Sequence, residues 1–424
     1  MPAYRGQEAP GVRPMKIQSM AELLLDILFK ILHNISSDNE TSGRSRNKHA
    51  RNRAHKGLFL NGKGIIMKEK AFHNQVSWMM FVFSILVIWV HSYNVELFSG
   101  GLLCPWWDAV DKIQRFVSVG IGQIAVPGFF MLSSYLFFRN FSWGQLGRKW
   151  KGRFFSVVIP YFVWNTLYYL GYVIAARLPA VTDMVGKRQV PFNGTEWMAA
   201  VFQYRYAPIF WYLYQLILLI LLSPVLYLIL KNRILGLMYL AVLLVAVHFH
   251  LDTQNPNTDA LFYYSFAAYG ALHGRKTAEA PQTPKRRMTG GVLLFLATWC
   301  FYKMGNPGAD VLWTVAYRFL MPVSLWVLAD GERWTETKPW MRQSMFLYAI
   351  HFVIVRFVNK GSAMILRQSL GEEALAAASL AVYFMLPVIV VAFSYGTALF
   401  LGKYMPWLWR ILSGGRSLRK GEGI

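Results

Sequence analysis

The chain has 424 residues, of which 55% are hydrophobic and only 15% are charged, against roughly 25% charged residues in an ordinary soluble domain. Its net charge of +23 would suit a nucleic-acid partner, but the Lys and Arg residues fall almost wholly in the polar segments between apolar runs. Composition and charge placement therefore exclude a soluble globular protein and a nucleic-acid-binding protein, and they predict an all-α, polytopic membrane helix bundle.

Residues 1–70 are polar and basic and are predicted to form a cytoplasmic leader. The apolar spacing over residues 20–35 predicts an amphipathic helix that either lies on the membrane surface or is poorly ordered. The Arg-, Asn- and Ser-rich stretch over 39–56 is typical of a disordered segment. We expect a membrane domain over 71–403 to follow, and then a basic cytoplasmic tail over 404–424.

Ten apolar runs follow the leader in chain order, and most are long enough to cross a hydrocarbon core of about 30 Å. They cover about 75–98, 119–138, 154–176, 208–230, 234–250, 260–273, 289–303, 311–330, 343–358 and 376–402. The sixth, seventh and ninth runs are short for a full span, so either their ends extend or neighbouring helices bury them. The long segment between the third and fourth runs is predicted to hold a short helix over 195–202.

The placement of positive charge predicts the orientation of these runs. If the amino terminus is cytoplasmic, 33 of the 44 Lys and Arg residues fall on the inner side and 9 on the outer side. Cytoplasmic loops carry the excess of Lys and Arg in membrane proteins. This distribution predicts ten spans in the cytoplasmic membrane, with both termini inside.

Two of the ionisable residues within the apolar runs, His91 and Arg318, are considered first as functional candidates. His91 is near the end of the first run, where an imidazole either bonds a neighbouring carbonyl as a packing residue or carries function. Arg318 lies within the eighth run and cannot be left unpaired in lipid. The two cysteines, Cys104 and Cys300, have no metal-ligand spacing, and His248 and His250 form only a weak pattern, so no metal site is predicted.

Six strings in order resemble acyltransferase family 3, the multi-span bacterial enzymes that modify surface glycans. The first of these strings contains His91, and the last ends on His351. They are residues 86–92, 126–136, 153–165, 210–214, 317–322 and 346–351. The chain departs from the family pattern eleven positions before His91, where a basic residue is usual and Met80 stands. The resemblance extends over about residues 73–402.

The resemblance implies an acyl-CoA-dependent O-acyltransferase that moves an acyl group, with acetyl as the first candidate, to a hydroxyl of an extracytoplasmic glycan or lipid-linked saccharide. It implies acyl-CoA as co-substrate and no tightly bound cofactor. His91 would then be the catalytic residue, which either activates the acceptor as a base, because a neutral imidazole titrates near the working pH, or briefly carries the acyl group.

The same reaction also requires residues that bind the acyl donor and residues that bind the acceptor. The basic cluster over residues 148–153 is predicted to bind donor phosphates, although positive-inside charge alone also accounts for it. Arg318 is predicted to bind the donor, with an oxyanion or a purely structural partner as the alternatives. The predicted donor-binding residues are Lys149, Lys151, Arg153 and Arg318. The predicted acceptor-binding or orienting residues are Ser92, Tyr93, Asn94, Trp211, Tyr212 and His351. Trp211 and Tyr212 equally suit an aromatic belt at the outer interface, Ser92 to Asn94 suit ordinary polar interface residues, and His351 suits a hydrogen-bonded packing histidine.

Two other functions remain open. A transporter or glycan exporter would use the same bundle without covalent chemistry. A regulatory member of the same fold would have lost its donor site, and Met80 in place of a cation is the feature that favours this alternative.

Overall fold

The computed structural model of this protein describes residues 60–61, 64–65, 67–101, 104–178, 189–251 and 253–415. Within them, a two-residue strand β1 (Leu60–Asn61) pairs antiparallel with β2 (Gly64–Ile65), and the other elements are helical. The predicted helix over 20–35, the rest of the leader before residue 60 and the tail beyond residue 415 lie outside the described residues.

The α-helices of the described residues are numbered in chain order. They are α1 (Glu69–Ser92), α2 (Val95–Ser99), α3 (Pro105–Arg115), α4 (Ala125–Phe138), α5 (Leu146–Arg153), α6 (Ile159–Ala175), α7 (Gly194–Phe202), α8 (Trp211–Leu221), α9 (Ser223–Leu230), α10 (Arg233–His248), α11 (Thr258–His273), α12 (Arg275–Ala278), α13 (Pro284–Met304), α14 (Val311–Leu328), α15 (Ser344–Leu366), α16 (Glu372–Tyr404) and α17 (Pro406–Leu412). A π-helical turn, Phe116–Ile121, connects α3 towards α4, and another, Phe154–Val158, connects α5 to α6.

Within the described residues, six helical segments are long and apolar enough to cross a membrane. They are Glu69–Ser99, Pro105–Phe138, Trp143–Ala175, Val311–Leu328, Ser344–Leu366 and Glu372–Tyr404. The pair Pro208–Leu221 and Ser223–Leu230, bent by 59°, adds a seventh if it forms one span. The chain is thus a helical, multi-pass membrane protein, and the ten spans and the side of the termini stay predictions.

Each of the ten apolar runs nevertheless coincides with a helix or a pair of helices. The seventh and ninth runs, which looked short, extend at their ends to 21 residues in α13 and 23 residues in α15. The short helix predicted over 195–202 is α7, which Asn193 caps by accepting a hydrogen bond from the amide of Glu196 at 2.8 Å.

The chain divides into two compact units, each assembled from separate segments. The first comprises residues 1–79, 130–140 and 228–336. Within it, α13 and α14 form a tight hairpin, because a Cβ at Gly290 would lie only 2.6 Å from the side chain of Leu328. The first turns of α1 join this unit through Gln75, whose Nε2 donates to the carbonyl of Trp326 at 2.9 Å.

An ion-pair cluster around Glu279 also belongs to the first unit. The carboxylate of Glu279 is fully buried and accepts hydrogen bonds from Arg139 Nε at 2.7 Å, from the Tyr135 hydroxyl at 2.9 Å and from Arg275 Nε at 3.1 Å. Arg139 Nη2 also donates to Glu69 at 2.7 Å. Burial disfavours the charged carboxylate, but the bonds from Arg139 and Tyr135 outweigh it and hold the pKa of Glu279 below its usual value.

The second unit comprises residues 80–129, 141–227 and 337–424. One of its apolar cores joins α1, α15 and α16 through Ile88, Leu347, Ile354, Val355, Leu386 and Val390. Another joins α2, α3, α15 and α16 through Val95, Phe98, Trp107, Val110, Ala363, Leu375 and Ala376. These contacts fix the end of α1 that carries His91 against α15 and α16.

Helix α17 covers the start of α6 within the second unit. Pro160 lacks an amide hydrogen, so it cannot donate to the carbonyl of Ser156 one turn earlier. The backbone of Gly414, with φ +68°, approaches that carbonyl so closely that a Cβ would lie 2.6 Å from the oxygen. Trp164 Nε1 donates to the carbonyl of Leu412 at 3.1 Å, and Trp409 is buried. Part of the predicted tail, from residue 406 to 415, is therefore packed against the membrane domain.

Candidate functional site

The site is centred on His91, in the last turn of α1. Its half-buried imidazole lies 5.3 Å from the ring of His351 and 5.5 Å from the ring of Phe352, measured between centroids. Within the part of the chain that the structure describes, no group forms a hydrogen bond with the imidazole of His91. Its nitrogens are therefore available to another molecule.

His351, on α15, faces His91 and is completely buried. Its Nδ1 lies 2.6 Å from the carbonyl oxygen of Tyr348, one turn earlier on the same helix. Because a carbonyl oxygen only accepts, Nδ1 carries the proton and donates it. His351 Nε2 has no hydrogen-bond partner among the described residues and therefore presents a lone pair.

Aromatic rings pack beyond His351. The ring of Tyr348 lies 5.8 Å from that of His351 and 5.7 Å from that of Tyr212, at the start of α8. The Tyr348 hydroxyl donates to the carbonyl of Ile209. Two aromatic residues were predicted to bind the acceptor. The ring of Tyr212 packs against Tyr348, which in turn packs against His351, whereas the side chain of Trp211 is 37% exposed.

Ser92 and Asn94 take part in a buried network at the end of α1. Asn94 Nδ2 donates to Asn359 Oδ1 at 3.1 Å, and Asn94 Oδ1 accepts from Gln114 at 2.8 Å and from the Ser379 hydroxyl at 2.7 Å. Asn359 Nδ2 donates to the carbonyl of Ser92 at 3.0 Å. All five residues are at most 2% exposed, so the network ties α1 to α3, α15 and α16.

Tyr93 points instead to the charged face of α3. Its hydroxyl donates to Asp111 at 2.5 Å, and Arg115 Nε donates to the same carboxylate at 2.8 Å. The guanidinium carbon of Arg115 lies 5.1 Å from the centroid of the Tyr93 ring. Ser92, Tyr93 and Asn94 directly follow His91 in the sequence but bond to protein groups, and their acceptor-binding role stays a prediction.

The basic residues predicted to bind the donor lie at the end of α5. Lys151 and Arg153 line a groove of about 360 Å³. Its other lining residues are Trp150, Phe154, Val158, Ile217, Ile220 and Leu221. Trp150 Nε1 donates to the carbonyl of Ile220 at 3.1 Å, which holds α5 against α8. The groove combines two cations with apolar walls, and Lys149 lies on the same helix outside its lining.

Arg318 belongs to the first unit, whereas the residues above belong to the second. Its Nη1 lies 3.8 Å from Asp259 Oδ2, and both side chains are about 30% exposed, at 28% and 29%. The arginine in the eighth run is therefore paired with a carboxylate from α11, as burial in an apolar helix requires. Its role towards the donor stays a prediction.

Among the described residues, no group of three or more His, Cys, Asp and Glu side chains could hold a metal ion. His248 pairs with Asp310 instead, with 2.7 Å between Nδ1 and Oδ2. Gln114, Asn359 and Ser379 are not among the site residues predicted from the sequence. Each is a polar residue on a helix face that the neighbouring apolar positions mark as buried, which is a weak signal without the fold.

A family model described as "Acyltransferase domain" matches residues 74–399. That range contains His91, His351, the basic residues of α5 and the network around Asn94. No curated protein and no solved structure matches the chain.

Proposed function

Because the chain belongs to acyltransferase family 3, we propose that it transfers an acyl group from acyl-CoA to a hydroxyl of an extracytoplasmic glycan or lipid-linked saccharide. Acetyl is the simplest acyl group that fits, and the co-substrate is then acetyl-CoA. The protein is a membrane acyltransferase by family, and the donor and acceptor are the parts proposed here.

The observation that carries the proposal is the imidazole of His91, which no described side chain or backbone group engages. A general base must be free to accept the proton of the attacking hydroxyl. His91 Nδ1 or Nε2 takes that proton while the hydroxyl oxygen attacks the thioester carbonyl carbon. The carbon–sulfur bond then breaks, the imidazolium returns the proton to the leaving thiolate, and the products are the ester and free coenzyme A.

On the donor side, Lys149, Lys151 and Arg153 are proposed to bind the phosphates of coenzyme A, and Arg318 is proposed to assist. Two of these cations line the groove at the end of α5, whose apolar wall suits a ligand that is charged at one end only. The acceptor would be oriented by Ser92, Tyr93, Asn94, Trp211, Tyr212 and His351. The excess of Lys and Arg on one side of the predicted spans supports a cytoplasmic membrane location with both termini inside.

Membrane vesicles that contain the full chain test this function directly. With acetyl-CoA labelled in the acetyl group, we expect alkali-labile label to accumulate on the glycan or lipid-linked saccharide, and vesicles without the chain should accumulate none. If neither acetyl-CoA nor succinyl-CoA gives labelled ester, the proposed function is wrong. Movement of saccharide across the vesicle membrane without ester formation would favour the exporter.

Charge reversal in the groove should weaken donor binding. In the double variant Lys151→Glu and Arg153→Glu, we expect the KM for acyl-CoA to rise by at least about tenfold, because charge-assisted hydrogen bonds to phosphate are lost. The variant Lys231→Glu and Arg233→Glu, which reverses two exposed charges outside the groove, is the matched control. An equal KM in both double variants would remove Lys151 and Arg153 from the donor site.

A further inference from the structure

In the second imidazole of the site, His351, Nδ1 donates a hydrogen bond to a backbone carbonyl, whereas Nε2 has no hydrogen-bond partner among the described residues. We propose that His351 is a positioning residue for His91, and that its Nε2 accepts a hydrogen bond from the His91 ring. This inference rests on the proposed function, because it assigns His91 its orientation as the base.

The protonation of His351 follows from its surroundings. The carbonyl of Tyr348 occupies Nδ1 at 2.6 Å and can only accept, so the ring proton is at Nδ1 and the lone pair is at Nε2. Nε2 is buried without a hydrogen-bond partner among the described residues. A buried acceptor without a hydrogen bond lowers the stability of the fold. A bond from His91 would satisfy this atom.

Three hydroxyl groups on residues that contact or adjoin the two histidines donate to backbone carbonyls and not to Nε2. Tyr348 donates its hydroxyl to the carbonyl of Ile209, and Tyr168 donates its hydroxyl to the carbonyl of Ala349 at 2.8 Å. The Ser92 hydroxyl donates to the carbonyl of Ile88 at 2.7 Å. His91 is left as the donor whose ring directly faces His351.

The two rings are placed for such a bond. Their centroids are 5.3 Å apart with 44° between the ring planes, and the edge of Phe352 closes one side of His91. A rotation of the His91 side chain, or one bridging water, joins the His91 N–H to His351 Nε2. The other His91 nitrogen then holds the lone pair that meets the acceptor hydroxyl.

The same bond accounts for the proton during the reaction. When His91 takes the proton of the hydroxyl, it becomes an imidazolium, and its hydrogen bond to His351 Nε2 stabilises the positive charge. The proton then leaves from the same His91 nitrogen to the departing thiolate, so His351 begins and ends the cycle with its proton on Nδ1. His351 therefore does not touch the reacting atoms.

Two substitutions of His351 separate this role from packing. In His351→Gln, the side-chain amide reaches the place of Nε2 and keeps an acceptor there. In His351→Asn, the amide reaches only the place of Nδ1 and keeps the bond to Tyr348. We expect the kcat of His351→Gln to exceed that of His351→Asn by at least about tenfold, with similar KM values for acyl-CoA.

Both variants are to be compared in the same vesicles as the wild type, at matched amounts of folded protein. A purely structural role predicts the opposite order, because Asn retains the one hydrogen bond that the fold makes. A kcat for His351→Asn equal to or above that of His351→Gln overturns the inference while the wild-type transfer stands. Absence of transfer by the wild type refutes the proposed function, and this inference with it.

Discussion

Replacement of His91 with alanine is expected to lower the kcat of acyl transfer by about 10²- to 10⁴-fold, the usual contribution of a positioned general base. The imidazole of His91 lacks a hydrogen-bond partner among the described residues, so its removal breaks no bond of the fold. The KM for acyl-CoA should change little, because the predicted donor cations lie on α5 and α14. Initial rates of ester formation in vesicles with matched amounts of protein measure both constants.

His73→Ala is the matched control on the same helix. His73 lies in the first turns of α1, is 61% exposed and pairs with Glu69 at 3.0 Å, so its loss should leave the kcat near the wild-type value. If His91→Ala retains full kcat while His73→Ala behaves in the same way, another group must accept the hydroxyl proton.

Arg139→Ala is expected to destabilise the protein by about 3–5 kcal/mol, because it leaves the fully buried carboxylate of Glu279 without its closest cation. The side chain of Arg139 is itself only 9% exposed and packs over the ring of Phe72, with 4.0 Å from its guanidinium carbon to the ring centroid. The loss should appear as a lower free energy of unfolding in detergent.

Two further variants test the cause of that loss. Arg333→Ala removes a cation that is 74% exposed and pairs with Asp330, so only a small fraction of the effect is expected. Adding Glu279→Gln to Arg139→Ala should restore part of the stability, because a buried charge that has lost its closest cation is then removed. A double variant as unstable as Arg139→Ala would show that the buried charge is not the cause.

The contribution of Glu279 to the free energy of unfolding should fall as the pH is lowered. Since the pKa of Glu279 is lowered in the folded protein, its contribution to stability is present above its unfolded pKa and is lost as the pH falls through the folded value.

Hydropathy alone located the apolar helices but not all of their ends, and it missed the more polar helices. Apolar runs stop where charges begin, whereas the helical backbone continues. Helix α13 begins with Pro284 and three basic residues, and α15 continues past Arg356 to Leu366. Helix α3 was not predicted, because Asp108, Asp111, Lys112 and Arg115 break its apolar pattern, although the buried residues Trp107, Val110 and Gln114 follow helical spacing.

The site was predicted only in part. His91 was predicted from its position in an apolar run, and His351 was predicted from the family resemblance. The two residues are 260 positions apart in the sequence, and no local sequence pattern predicts that their rings pack together. The same holds for Asn94 and Asn359, which are 265 positions apart in the chain. Periodicity tells which face of a helix is buried, but packing decides which polar groups meet.

The network of Asn94, Gln114, Asn359 and Ser379 fixes the backbone at the end of α1 that carries His91. Each side chain comes from a different part of the second unit, and shifting the end of α1 would strand several amides in apolar surroundings. In the proposed reaction, His91 therefore acts from a fixed stretch of backbone, and only its side chain can turn towards a substrate. The reactive hydroxyl and the acyl carbon must both extend to one point fixed by helix packing, and this sets a minimum reach for each substrate.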